Sequence, residues 1–184
     1  MATLYFNAAV NTNWDTNGNW WTDEAATEPG NKPTSADSAV ILASVASNSG
    51  GNPTIINLTV ATNGVTVAGV TMTVTGVAAF SGSSSNNGTI TGDCTFSGSS
   101  SNNGTITGDC TFSGTSYNNN NSIITGNATF TGTSYIGTGG TITGTVRMST
   151  LSAAKTIQTG LLADSSVSTT VPNGINGSSI LGLP

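Results

Sequence analysis

The chain contains no histidine and only two cysteines, and of its 184 residues just 6% are charged. Without imidazole, the commonest general base and the commonest zinc ligand are missing from a single chain, which excludes most hydrolase constellations. Two cysteines make no disulfide framework and leave room for one bridge. Three basic residues, Lys32, Arg147 and Lys155, stand against eight acidic ones, for a net charge of −5. Such a balance makes nucleic-acid backbones and anionic membranes poor partners. No apolar run reaches the length of a membrane span, and MATLYFNAAV at the N-terminus lacks the basic flank and apolar stretch of a signal peptide.

More than half of the chain is Gly, Ser, Thr and Asn. Disorder is the first reading of such a composition, but its usual companion is high net charge, and here Ile, Val, Phe and Thr recur in fixed order. SGSSSNNGTITGDCTF at 81–96 is repeated without change at 97–112, and two 18-residue variants follow at 113–130 and 131–148. Aligning the copies gives apolar columns: Phe80, Phe96, Phe112, Phe130 and Met148; Val74, Ile90, Ile106, Ile124 and Ile142; and Ala78, Cys94, Cys110, Ala128 and Val146. Gly76, Gly92, Gly108, Gly126 and Gly144 fall between the last two columns.

Within each copy, T-I-T, a glycine, then x-C-T-F alternates with the period of two that short strands require, the glycine supplying a corner. One such rung cannot bury its apolar side alone. Stacking like rungs about 4.8 Å apart satisfies the backbone and completes a core at once. The expected fold is therefore all-β, a short parallel β-solenoid (β-helix) with 16–18-residue rungs and two or three short faces per turn. SGSSSNNG is read as its long corner, with the two extra residues of the later copies inserted there. The segment 56–80 fits the pattern less regularly, which places the start of the solenoid near residue 55. The expected organisation is a Trp-containing N-terminal capping or docking module at 1–54, the repeated body at 55–150 and a closing or oligomerisation segment at 151–184. Five or six rungs make a body only about 25–30 Å long.

Each chemically suggestive feature has a plain alternative. Cys94 and Cys110 fall at equal heights on adjacent rungs, but Ala128 and Val146 continue their column, so they read as small core groups, and two thiols alone do not bind zinc. Asp93 and Asp109 are continued by Asn127 and Thr145. Converging, they could hold a calcium ion or act as an acid and nucleophile pair; facing solvent they are surface residues, which is the reading adopted. No catalytic residue, metal or cofactor is expected. Trp14, Trp20 and Trp21 are large amphipathic surfaces suited to capping an open solenoid end or to docking a partner. Ile180, Leu181 and Leu183 in the apolar C-terminal tail are candidate subunit contacts.

Two resemblances extend this reading. Residues 11–42, with Asn13-Trp14, Asn19-Trp20, Pro33 and Asp37 followed by Ala39-Val40-Ile41, resemble a module that precedes β-helical regions in bacteriophage virion proteins and some autotransported adhesins. That resemblance implies a non-enzymatic structural protein on the virion surface, made in the host cytoplasm, as capsid decoration (cement) or a short tail fibre. A homo-oligomer, preferably a trimer, attached to a capsid or tail protein would be the working form, with a glycan or host receptor as a further partner of a fibre or adhesin. Separately, the outward array Thr73/Thr75, Thr89/Thr91, Thr105/Thr107, Thr125 and Thr141/Thr143 resembles the ice-binding face of insect-type β-solenoid antifreeze proteins. Outward threonine is also what strand propensity favours on any solvated sheet.

Overall fold

The computed structural model describes residues 1–148, apart from 120 and 138, together with the short strand Thr169–Thr170. The candidate contacts Ile180, Leu181 and Leu183 lie outside the described residues. The strands in chain order are β1 (Thr3–Phe6), β2 (Trp20–Trp21), β3 (Ser38–Ile41), β4 (Thr54–Ile55), β5 (Leu58–Val60), β6 (Thr66–Phe80), β7 (Ser85–Phe96), β8 (Ser101–Asn102) and β9 (Thr105–Thr107). They continue as β10 (Cys110–Phe112), β11 (Tyr117–Asn118), β12 (Ile123–Ile124), β13 (Ala128–Phe130), β14 (Tyr135–Ile136), β15 (Thr141–Ile142), β16 (Val146–Met148) and β17 (Thr169–Thr170). They wind into a parallel β-solenoid of about six turns.

Each regular rung has three faces. The first carries the Cys-Thr-Phe strands, where Cys94 pairs with Cys110, Cys110 with Ala128 and Ala128 with Val146. The second carries Thr-Ile-Thr, with Met72, Ile90, Ile106, Ile124 and Ile142 in one inward column. The third is shorter: Asn86, Asn102 and Asn118 lie in register, with Ile136 after them. Alternation puts the middle residue of T-I-T and the outer two of C-T-F inside, and these side chains are buried. Phe80, Phe96, Phe112 and Phe130 stack ring on ring at 4.9, 4.8 and 4.7 Å, within 9° of parallel. That separation is the inter-strand spacing itself, so identical residues in identical rotamers stack without adjustment.

The ladder begins well before residue 55. β1 pairs parallel with β3, β3 with β5, and β5 with the end of β6, so that Leu4, Ala39, Leu58 and Ala78 lead directly into the Cys94 column. Successive steps along this column are 35, 19, 20, 16, 16, 18 and 18 residues, the differences between paired positions. The early rungs are invisible to a 16-residue period because their connections are long, although their strands stack in the same way. No break in the ladder coincides with residue 54.

A second difference concerns register. Counting back 16 residues from Ile90 gives Val74, yet the residue paired with Ile90 is Met72, flanked by Thr71 and Thr73 opposite Thr89 and Thr91. The register shifts between Thr73 and Val77, where Val74, Thr75 and Gly76 face the single residue Gly92. This is a bulge of two extra residues, and it turns the chain at the corner. Gly92 has φ +143, and a Cβ there would collide with the Val74 carbonyl oxygen, so glycine is required. Val74 remains buried but pairs with Ile55 of the preceding rung.

The segment SGSSSNNG is not only a solvated corner. Ser84, Ser100, Ser116 and Ser134 are fully buried, as are Asn86, Asn102 and Asn118. Ser100 Oγ–H donates between the carbonyls of Ser97 at 2.8 Å and Phe80 at 3.2 Å, and Ser84, Ser116 and Ser134 repeat the arrangement. Asn86 Nδ2 donates to Asn102 Oδ1, and Asn102 Nδ2 to Asn118 Oδ1, each at 2.9 Å. These groups are tolerated inside because their hydrogen bonds run to neighbouring rungs; Asn118 Nδ2, at the end of the amide column, is left without a partner.

Candidate functional site

The N-terminal end of the ladder is closed by tryptophan. β2 runs antiparallel to β1, Phe6 opposite Trp20 and Tyr5 opposite Trp21, which stops parallel stacking on that edge. Trp14 and Trp20 are buried, packed edge-to-face at 4.6 Å, with Trp20 also edge-on to Phe6 at 5.1 Å. Trp20 Nε1 donates to the Trp14 carbonyl at 2.7 Å, fixing both rings against Phe6 at the N-terminal end of the core. Of the three tryptophans only Trp21 is half-exposed, and its Nε1 donates to Asn7 Oδ1 at 2.8 Å. Trp14 and Trp20 are therefore interior closing groups of this chain, with no ring face left to dock a partner.

Asp15 staples this end together. Its carboxylate takes Lys32 Nζ at 2.8 Å, the Ser49 amide at 2.6 Å and the Gly50 amide at 2.5 Å, uniting three distant loops. Burial works to raise its pKa, but these hydrogen bonds and the Lys32 charge outweigh burial and hold the carboxyl below its ordinary range. Asp37 is likewise lowered, by Thr34 Oγ1 and the Ala2 and Thr34 amides, and so ties β1 to β3.

The Asp93 column is a chain of backbone acceptors. Asp93 Oδ1 receives the Asp109 amide at 2.9 Å, Asp109 Oδ1 the Asn127 amide at 2.7 Å, and Asn127 Oδ1 the Thr145 amide at 2.9 Å. Asn57 begins the series by accepting from Val77 N at 3.1 Å. Each side chain satisfies an amide one rung ahead at the glycine corner, where the strand pairing lapses, and an asparagine does this as well as an aspartate. Among the described residues no group of three or more potential metal ligands gathers. Cys94 and Cys110 are buried free thiols in register. The hydrogen bond to Cys94 and burial push the Cys110 thiol far up, so it stays protonated and unreactive.

The second face carries the in-register threonine columns. One outward column runs Thr71, Thr89, Thr105, Ile123, Thr141; the other runs Thr73, Thr91, Thr107, Thr125, Thr143. Thr75, expected there, lies in the bulge and donates to the Ile55 carbonyl at 3.3 Å, while Thr71 takes a place the repeat arithmetic had not assigned. Thr71, Thr91, Thr107, Thr125, Thr141 and Thr143 are exposed; Thr73, Thr89 and Thr105 are half-buried. The columns contain no charged residue.

On the third face Tyr117 and Tyr135 stack at 5.0 Å, continuing a column begun by Ser85 and Ser101. Beside them an amide ladder runs Asn87, Asn103, Asn119, the first exposed and the other two half-buried, with Asn103 Nδ2 donating to Asn87 Oδ1 and Asn119 Nδ2 to Asn103 Oδ1, both at 2.7 Å. In sequence this corner reads as small residues at matching heights with amides able to stack along the axis, which corresponds to this ladder. No protein-family model, curated protein or solved structure matches this chain. No helix of the described residues is long and apolar enough to cross a membrane.

Proposed function

We propose that this chain is a non-enzymatic structural protein of a bacteriophage particle, displayed on its surface as capsid decoration or a short fibre. The observation that carries the reading is the uninterrupted parallel ladder from β1 to β16, closed at one end by tryptophan and walled by neutral Ser, Thr and Asn. Backbone groups so fully paired, over a column of stacked phenylalanines, resist proteolysis and local opening. That is the property an external particle component needs. Side chains with chemical potential have structural duties: Asp15, Asp37, Asp93 and Asp109 accept amides, and Cys94 and Cys110 fill the core. The resemblance of residues 11–42 to modules of virion proteins supports the same assignment, with a trimer as the expected form.

Two measurements test it. Native mass across a dilution series is expected to give a concentration-independent trimer near three times 18.2 kDa; a persistent monomer removes the trimer. Antibody labelling of virus particles purified from cells that naturally carry the gene is expected to mark the particle exterior. Particles free of the protein, with the chain recovered only from cells or medium, overturn the assignment. Binding of the recombinant chain to host cells but not to stripped particles turns it toward a receptor-binding fibre.

The in-register threonine columns favour one second reading, an ice-binding surface. Thermal hysteresis and ice shaping in the recombinant protein, abolished by Thr107→Glu, would establish it; their absence from the wild type disposes of it.

A further inference from the structure

We infer that Asn87-Gly88 and Asn103-Gly104 are latent sites of spontaneous backbone modification, held shut by the buried asparagine column. An Asn-Gly pair is the dipeptide most open to self-modification. The glycine nitrogen attacks the asparagine Cγ, the Cγ–Nδ2 bond breaks, ammonia leaves with the amide proton, and a succinimide ring forms. Water then opens either ring carbonyl to give aspartate or isoaspartate, the latter carrying an extra backbone atom that breaks strand register.

Stacking of the rungs fixes both glycines. A Cβ at Gly88 would collide with the Val70 carbonyl oxygen, and one at Gly104 with that of Gly88. The asparagines are engaged as well, since Asn103 Nδ2 donates to Asn87 Oδ1 and Asn103 Oδ1 accepts from Asn119 Nδ2, both at 2.7 Å. The labile pair is thus tied into the ladder in both rungs, with Asn87 exposed and Asn103 half-buried.

The geometry also supplies the restraint. The attacking nitrogen of Gly88 donates its N–H to Asn86 Oδ1 at 3.1 Å, and that of Gly104 to Asn102 Oδ1 at 3.3 Å. Asn86 and Asn102 are fully buried and bonded to each other and to Asn118, so these acceptors stay in place. Attack requires breaking that bond and swinging the Asn103 carboxamide out of a ladder tethered at both ends. The interior column therefore has a role that packing alone does not require. Val67 and Ile136 stand at its two ends, which shows that apolar side chains fit the same position.

The experiment is ageing at 37 °C and pH 8, followed by chymotryptic mapping of the mass gain at these asparagines. Cleavage after Phe80, Phe96 and Phe112 releases 81–96 and 97–112, which are identical in sequence. The variant Asn102→Val gives the second peptide its own mass, and the first then serves as an internal control. The folded wild type is expected to modify about tenfold more slowly than the urea-unfolded chain, the scale of one hydrogen bond. In Asn102→Val, position 103 should speed up by a similar factor relative to 87. In Asn118→Val, which loosens the column without freeing Gly104 N, the two peptides stay identical, and their combined mass gain should keep the slow wild-type rate.

Replacing Asn86, Asn102 and Asn118 together by valine removes the column's mutual hydrogen bonds as a set, frees the Gly88 and Gly104 amides from their acceptors, and should open both sites while circular dichroism stays native. Equal rates in the folded and unfolded wild type overturn the proposal. So do equal acceleration by Asn118→Val and Asn102→Val, or a folded triple variant that ages as slowly as the wild type. If the triple variant does not fold, the wild-type comparison and the two single variants still decide.

Discussion

Phe112→Ala is the most informative single perturbation of this solenoid. Phe112 is fully buried between Phe96 and Phe130, with ring centroids 4.8 and 4.7 Å away. Truncating a buried phenylalanine costs about 3–5 kcal/mol through lost transfer energy and the cavity left behind. The upper part of that range applies here because the cavity cannot collapse. Its floor and ceiling are rungs held apart by backbone bonds, Ser113 N to Phe96 O and Thr131 N to Phe112 O, both 2.9 Å. The loss also falls on an interface between neighbouring rungs, so the two halves of the ladder uncouple and opening of the distal half becomes populated. Denaturant unfolding followed by circular dichroism should show the midpoint fall, with broadening as two-state behaviour weakens. At about 1.4 kcal/mol per tenfold, the open population should rise about 10³-fold or somewhat more, and protease cleavage with it. Phe112→Met should be much milder, since Met148 already ends the same column. A loss below about 1.5 kcal/mol for Phe112→Ala, with a sharp transition and unchanged protease resistance, would refute the claim that this column carries the stability of the body.

Further expectations follow from other residues. Asp15 has a depressed pKa in the folded chain, so its stabilisation is complete above its ordinary value of 3.8 and is lost as pH falls through the lower folded value. All three tryptophans lie between residues 14 and 21, so on acidification tryptophan fluorescence should change before the circular dichroism of the body. Asp15→Asn should remove that early step; simultaneous transitions in the wild type would contradict it. Asp109→Asn keeps the acceptor for Asn127 N and should change stability by less than about 0.5 kcal/mol, whereas Asp109→Ala should cost about 1 kcal/mol. A calcium-dependent melting shift lost in Asp109→Asn would show instead that the column binds cations. Gly104→Ala forces a Cβ into the Gly88 backbone and should cost about 3 kcal/mol or more. Gly64→Ala, at φ +74 with nothing within 4 Å, should cost only about 1 kcal/mol of left-handed strain. Equal costs in the two melting experiments would mean that rung contact does not set the glycine requirement.

The amino-acid sequence by itself determined the repeated part of the architecture. Two identical 16-residue copies, a phenylalanine every rung and period-two alternation around Ile90 and Cys94 leave parallel stacking as the arrangement that buries every column at once. The two-residue insertions also fell where expected, since Asn118 pairs with Asn102 and Ile124 with Ile106, leaving the extra residues between them. What only the tertiary structure decided lies where neighbours distant in the chain set the outcome. The early rungs are joined by connections of unequal length, so Leu4 and Ala39 enter the core column without any period to announce them. The bulge opposite Gly92 moved Met72, not Val74, into the isoleucine column, because register depends on the chain's path around a corner rather than on residue counts. Serine and asparagine read as solvent-facing by composition, yet Ser100 and Asn102 are interior because adjacent rungs supply their hydrogen-bond partners. Composition records what a side chain prefers in isolation; burial of a polar group depends on partners that exist only once the rungs have stacked.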